Sequence, residues 1–316
     1  MLAHSVRQRL YNYARAQQRP FEEVLLYFAL ERFLYRLSCS PYRDRFILKG
    51  GLMLTTWSLP ASRPTRDIDL LGRTANSIET IVAIVRSLCT LSVPEDGLHF
   101  DADSVRGEPI IEAARYHGVR VKLLAYLGKS RIHLQLDIGF GDPLHPQAQI
   151  IQMPTLLDFP PPVLYGYSKE SVIAEKSQVM LQLGEINSRL KDFYDLWVLF
   201  SSLDFDGETV AAAVRATFTH RGTPITPSSV IFTPAFAADP KRQHQWLVFL
   251  RRIGVEETAP AFPQAMACIT AFLQPLLETL AEGKSFQAHW PPGGPWIFTL
   301  TQEEGGKDAP IYPRRP

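Results

Sequence analysis

The chain has 316 residues, 46% of them apolar and 21% charged, with a formal net charge of +1. This is an ordinary globular composition, and it excludes a disordered acidic or basic chain. Cys39, Cys89 and Cys268 are odd in number and share no metal-ligand spacing; this excludes a disulfide framework or structural zinc and suits a reducing compartment. The first ten residues lack the apolar run of a signal peptide, and no stretch is apolar enough to span a bilayer, so the cytoplasm is the expected location.

Leu2 to Gln17 and Pro20 to Leu37 read as helices, the second with Phe21, Val24, Leu25, Phe28, Phe33, Leu34 and Leu37 at helical spacing on one face. From Met1 to Arg66 there are eleven Lys or Arg against four Asp or Glu. That balance fits either a surface facing a polyanion or a set of solvated helix faces. Arg45 to Lys49 is a short apolar strand, Gly50-Gly51 a turn, Leu52 to Leu59 a short helix broken at Pro60 to Pro64, and Asp67 to Leu71 an alternating strand. Asn76 to Leu91 is a further helix. Val119 to Leu127 and Arg131 to Phe140 alternate as strands, and Gly128-Lys129-Ser130 joins them as a hairpin.

Pro160-Pro161-Pro162 marks a boundary. Helices follow at Lys169 to Leu183, Ser188 to Leu203 and Glu208 to Thr219. Thr223 to Asp239 reads as loop, His244 to Ile253 and Pro263 to Leu280 as helices, and His289 to Pro316 as a loosely packed Pro/Gly-rich tail. The expected division is a mixed strand-and-helix unit over 1–163, a helical unit over 164–288 and the tail over 289–316.

The segment from Phe46 to Leu71 carries the chemistry. A glycine pair after a strand lets the backbone approach a ligand closely and leaves helix N–H groups open to an anion. Asp67 and Asp69 are two apart on a strand and share a face. Two adjacent carboxylates repel unless a cation lies between them, and Mg²⁺, an oxygen-seeking ion that keeps phosphates in its shell, suits that place. Asp137 lies opposite the core-facing Ile132, Leu134, Leu136 and Ile138 and is the best candidate for a third carboxylate; the alternative is a plain solvent-facing Asp. Asp142, between Gly141 and Pro143, reads as a turn residue. Arg63 and Arg66 flank the pair, to steady a triphosphate or to solvate the strand edge. In the helical half, Lys176 stands among Val172, Ile173, Val179, Met180 and Leu183. Asp192 and Asp195 share a helix face, and Lys191 and Asp195 have helical ion-pair spacing. By spacing alone this second group reads as a salt-bridge network.

Strand, Gly-Gly, helix and then D-x-D resembles the signature of polymerase-β-type nucleotidyltransferases. More narrowly, Lys49-Gly50-Gly51 followed by Arg63, Thr65, Asp67, Ile68, Asp69 and Leu70, with Glu175-Lys176 and then Lys191-Asp192-Phe193-Tyr194-Asp195-Leu196, resembles the AbiEii/AbiGii toxin family. The motifs cover about Arg45 to Phe200. The resemblance implies an α+β fold, with a nucleotidyltransferase core of small twisted sheet and flanking helices followed by an α-helical domain. It implies an Mg²⁺-dependent enzyme that moves a nucleoside monophosphate from an NTP to a hydroxyl, most naturally the 3′ end of tRNA, as the toxin of a toxin–antitoxin or phage-defence module with a partner antitoxin. Asp67, Asp69 and Asp137 would hold the metal or act as base. Gly50, Gly51, Arg66 and Lys176 would hold the triphosphate. Lys176 and one of Asp192 and Asp195 would belong to the active site. The alternatives are a transferase that modifies a protein side chain or a small-molecule alcohol, and a non-catalytic nucleotide- or RNA-binding module.

Overall fold

The structure, a computed structural model, describes residues 2–57, 59, 63–112 and 116–299. Its first half is built on helices α1 (Leu2–Ala16), α2 (Phe21–Ser38), α3 (Gly51–Thr56) and α4 (Ile78–Cys89) and on strands β1 (Phe46–Lys49), β2 (Ile68–Gly72), β3 (Leu98–Glu112), β4 (Tyr116–Leu127), β5 (Ser130–Phe140), β6 (Gln149–Gln152) and β7 (Val163–Gly166). These strands form one mixed seven-stranded sheet in the order β3-β4-β5-β2-β1-β7-β6. β2 runs parallel to β5 and β1 parallel to β7, while the remaining neighbours are antiparallel. β1 sits between β2 and β7, and its Phe46, Ile47 and Leu48 are all buried, the apolar run that a central strand needs. In β5, buried Ile132, Leu134, Leu136 and Ile138 alternate with less buried residues, so one face of this strand packs on the core and the other stays open. Ser77 accepts the Thr80 N–H as N-cap of α4, whose Ile81, Ile84, Val85 and Leu88 are buried.

The second half contains α5 (Lys169–Leu183), α6 (Leu190–Ser202), α7 (Gly207–His220), α8 (Pro234–Ala238), α9 (Pro240–Ile253) and α10 (Phe262–Ala281), with strands β8 (Phe205–Asp206), β9 (Ala288–Trp290) and β10 (Ile297–Phe298) in a small antiparallel sheet. Ser168 and Asp206 cap α5 and α7 through their side chains. α6 and α10 pack through stacked Phe200 and Phe272, with ring centroids 3.7 Å apart. The segment from His289 to Thr299, expected as loose tail, is folded. Trp290 donates to the Phe200 carbonyl and Trp296 to that of Phe272, and both indoles are buried. The rest of the expected tail, and the Pro60 to Ser62 part of the expected helix break, lie outside the described residues. α8 lies within the stretch expected to be loop. Among the described residues, no helix is long and apolar enough to cross a membrane.

The basic excess of the N-terminal segment is partly internal. Arg32 and Arg36 of α2 are buried and both bond to Asp96, while Arg32 also meets Glu31. Lys49 and Arg63 are likewise turned inward. The surface charge of this segment is therefore smaller than the residue count suggests. Burial, opposed by the Leu156 N–H and by Arg32, raises the Glu31 carboxyl to about 7. Its folded-state value lies above the ordinary 4.5, so the folded chain holds this proton more tightly, and stability falls as pH rises from about 4.5 to about 7. Glu31→Gln keeps an acceptor for Leu156 and removes the buried charge. Urea unfolding should find the variant more stable than wild type at pH 8, by about 1–3 kcal/mol, and no more stable at pH 4.

Candidate active site

The turn between β1 and α3 is shaped by Gly50. It adopts φ +69° and ψ −150°, and an added Cβ would lie 1.9 Å from the Asp69 Oδ2. Glycine is required there twice over, by backbone conformation and by the approach of the carboxylate. Gly51 backs onto Thr65, whose hydroxyl donates to the Asp67 Oδ1 at 3.0 Å. Gly50→Ala is expected to lower stability by at least about 1–3 kcal/mol from backbone strain alone, and to displace Asp69. Thermal unfolding beside an activity assay checks both.

Register brings the carboxylates together. Antiparallel pairing of β1 with β2 sets Lys49 opposite Asp69, and parallel pairing of β2 with β5 sets Asp69 opposite Asp137. Asp67, Asp69 and Asp137 offer carboxylate oxygens that all lie within 4.8 Å of one another. Burial first, and then the neighbouring Asp67 charge, raises the Asp69 carboxyl to about 6; Lys49 and Lys191 pull the other way. Three partly buried hard oxygen donors that repel one another fit a divalent cation such as Mg²⁺. Asp137 is already oriented: Arg120 Nε and Nη2 donate to its two oxygens at 2.8 and 2.7 Å, and Gln135 adds contacts at 3.2 and 3.3 Å. A proton-accepting role for Asp137 would require Arg120, 36% exposed, to move aside.

The second group adjoins the first. Lys176 Nζ on α5 lies 2.7 Å from both Asp192 Oδ1 and Asp195 Oδ2 on α6. Arg189 holds the other oxygen of Asp192 at 2.6 Å. Arg63 donates through Nε and Nη2 to both oxygens of Asp195, at 2.8 and 2.9 Å. Burial acts against the charge of Lys176, but the two aspartates outweigh it and its pKa is raised. Asp192 is lowered in spite of burial, chiefly by Lys176 and then Arg189. Asp195 is fully buried and Asp192 nearly so. The helical ion pair suggested by the spacing of Lys191 and Asp195 is not the pairing seen: Asp195 is taken by Lys176 and Arg63. Lys191 is exposed and places its charge on Asp69 instead. Arg66, beside Asp67, is exposed.

Sequence reasoning assigned no part to Lys49 or Arg120. Lys49 Nζ lies 3.2 Å from both Asp142 Oδ2 and Glu175 Oε2, and Arg221, at the C-cap of α7, binds Asp142. Asp142, expected as a turn residue, is therefore a buried junction between β5, β1 and α7. The Tyr167 hydroxyl donates to Glu175 at 2.8 Å. The available signals were the position of Lys49 directly before Gly50 and of Arg120 on the polar side of an alternating strand.

Residues 32–268 match the family model described as nucleotidyl transferase AbiEii toxin, type IV TA system. No curated protein matches the chain by sequence. Among solved structures, JHP933 from Helicobacter pylori is similar at 15% identity and a TM-score of 0.44, over 80% of this chain and 90% of that one. A putative nucleotidyltransferase from H. pylori gives the same identity and TM-score over 80% and 94%. The family match spans most of the chain, and the chain belongs to the AbiEii nucleotidyl transferase toxin family.

Proposed function

We propose that this nucleotidyltransferase is Mg²⁺-dependent and transfers a nucleoside monophosphate from an NTP to the 3′ hydroxyl of an RNA, with tRNA the leading acceptor, in the cytoplasm. The observation that carries the reading is the convergence of Asp67, Asp69 and Asp137 beside the Gly50-Gly51 turn. In the same reading the sheet and its helices, about 1–163, form a polymerase-β-type core, and 164–288 forms a helical domain that closes one side of the site.

The three carboxylates would hold the metal, which when bound supplies positive charge to the phosphates and to the attacking and leaving oxygens. Asp67 is held in place by Thr65 and Asp137 by Arg120. Gly50 and Gly51 let the triphosphate approach the backbone. Lys176 is held between Asp192 and Asp195 at the helical side. Catalysis of this kind is chiefly positioning and charge stabilisation. The family implies a cognate antitoxin, and a role in phage defence belongs to the same proposal.

The test is label transfer. The protein is incubated with Mg²⁺ and each α-labelled NTP, with total tRNA or with no added acceptor, beside Asp69→Ala. Label on tRNA that is lost in the variant is the expected result. Label on protein alone would move the acceptor to a side chain. The absence of Asp69-dependent label from RNA and protein would reject the RNA reading and direct attention to small alcohols.

A further inference from the structure

The helical side of the site is a closed group of ion pairs around one arginine. Arg63, Lys176 and Arg189 are three cations closed on two carboxylates, Asp192 and Asp195. The two buried cations, Arg63 and Lys176, with side chains 10% and 13% exposed, match the two buried carboxylates, and Arg189, 40% exposed, adds its charge from the solvent side.

One nitrogen of Arg63 stands outside its pairing with Asp195. Arg63 uses one edge of its guanidinium, Nε and Nη2, on Asp195. The remaining nitrogen, Nη1, has the Pro64 carbonyl at 3.4 Å, a long contact, and lies 3.6 Å from where a Gly51 Cβ would stand. Nη1 is thus held against the Gly50-Gly51 turn, whose other side backs onto Asp69. Lys176 cannot take this part as it stands, because its ammonium is already shared between two carboxylates at 2.7 Å.

We propose that Arg63 is the ligand for the β- and γ-phosphates of the substrate, aimed by Asp195, and that Lys176 is a positioning residue that holds Asp195 in turn. This deepens the nucleotidyltransferase reading and rests on it for the identity of the anion. In the transfer, the acceptor oxygen forms a bond to the α-phosphorus, and the bond from that phosphorus to the β-phosphate oxygen breaks. The electron pair leaves with pyrophosphate and the acceptor proton passes to solvent. Arg63 meets the charge that gathers on the departing pyrophosphate. A planar fork with one edge locked and one edge presented suits a polyphosphate better than a mobile lysine does.

The experiment reads binding with a probe that carries no base. Inorganic tripolyphosphate with Mg²⁺ is titrated calorimetrically into the full chain and into Arg63→Gln, Arg63→Lys and Arg66→Gln, each checked for its melting temperature. Arg63→Gln is expected to bind about 10- to 100-fold more weakly. Arg63→Lys, which keeps a charge opposite Asp195 and loses the second edge, should fall between that variant and wild type. Arg66→Gln should change binding less than either. Undiminished binding by folded Arg63→Lys, or a larger loss in Arg66→Gln, would overturn the assignment. Protection of Arg63 in the wild-type chain from an arginine-specific dicarbonyl reagent by tripolyphosphate gives a readout independent of the variants, and lack of protection overturns it equally. Arg63-dependent binding without transfer activity would leave this subsite standing while rejecting the enzymatic reading. Transfer with Arg63-independent binding would do the reverse.

Discussion

Asp69→Asn is expected to lower nucleotidyl transfer by on the order of 10³-fold or more, since it removes one of three converging carboxylates from the place where phosphate charge must be met. The same substitution is not expected to destabilise the chain, and its pH behaviour separates a lost site from a lost fold. Burial and Asp67 raise the Asp69 carboxyl from 3.8 to about 6. The folded, metal-free chain therefore binds more protons than the unfolded one between those values, and its stability falls as pH rises through them, by about 2–3 kcal/mol. Below pH 4 the cost is absent. Thermal unfolding with chelator should show a steeper decline in wild type than in Asp69→Asn, which keeps only the part that Glu31 contributes. Added Mg²⁺ should raise the melting temperature of wild type at pH 7.5, should do so much less at pH 4, and should have little effect on the variant. A wild-type melting temperature indifferent to Mg²⁺ at pH 7.5 would count against the three carboxylates as a metal site.

Lys176→Met is expected to have the largest effect on stability, about 3–5 kcal/mol, because it leaves Asp192 and Asp195 buried with Arg189 and Arg63 as their remaining partners. Adding Asp192→Asn to Lys176→Met should recover part of that loss, since one of the stranded charges goes with it. The two changes should therefore be clearly non-additive. Denaturant unfolding of the two single variants and the double variant measures the coupling. Additive losses would mean that Lys176 and Asp192 do not share the interaction their 2.7 Å separation indicates.

The half of the site that lies on β1 and β2 was legible because its signals are local. A four-residue apolar strand, two glycines and an alternating D-x-D each announce themselves within a few residues. Asp137 was legible for the same reason, as the polar member of a strand with strict alternation. The long edge strand β3 escaped notice. Its pairing with β4 shifts register between Asp101 and Arg106, and Pro109 lies within it, so neither period nor propensity marks it. β7 follows directly on the triple proline and pairs in parallel with β1, more than a hundred residues earlier, a contact with no local signature. The helical cluster shows the same limit. The shared face of Asp192 and Asp195 can be read from a three-residue spacing, whereas the partner that buries Asp195 is Arg63, 132 residues away. The spacing of Lys191 and Asp195 suggested a local pair, and packing gave Asp195 to Lys176 and Arg63 instead.

The order of the chain also governs when the enzyme can first act during its own synthesis. Asp69, Asp137, Lys176 and Asp195 come from four successive stretches, and the parallel pairing of β2 with β5 cannot form until the ribosome has released residue 137 and its surroundings. Arg63 cannot be set until α6, which carries Asp195, has emerged. At about 5–20 residues per second, roughly 6 to 25 s separate the emergence of Asp69 from that of Asp195. A nascent chain thus holds its acidic pair before the helices that carry Lys176 and Asp195 have emerged. Truncated products of interrupted translation that end before α6 should be harmless to the cell that makes them.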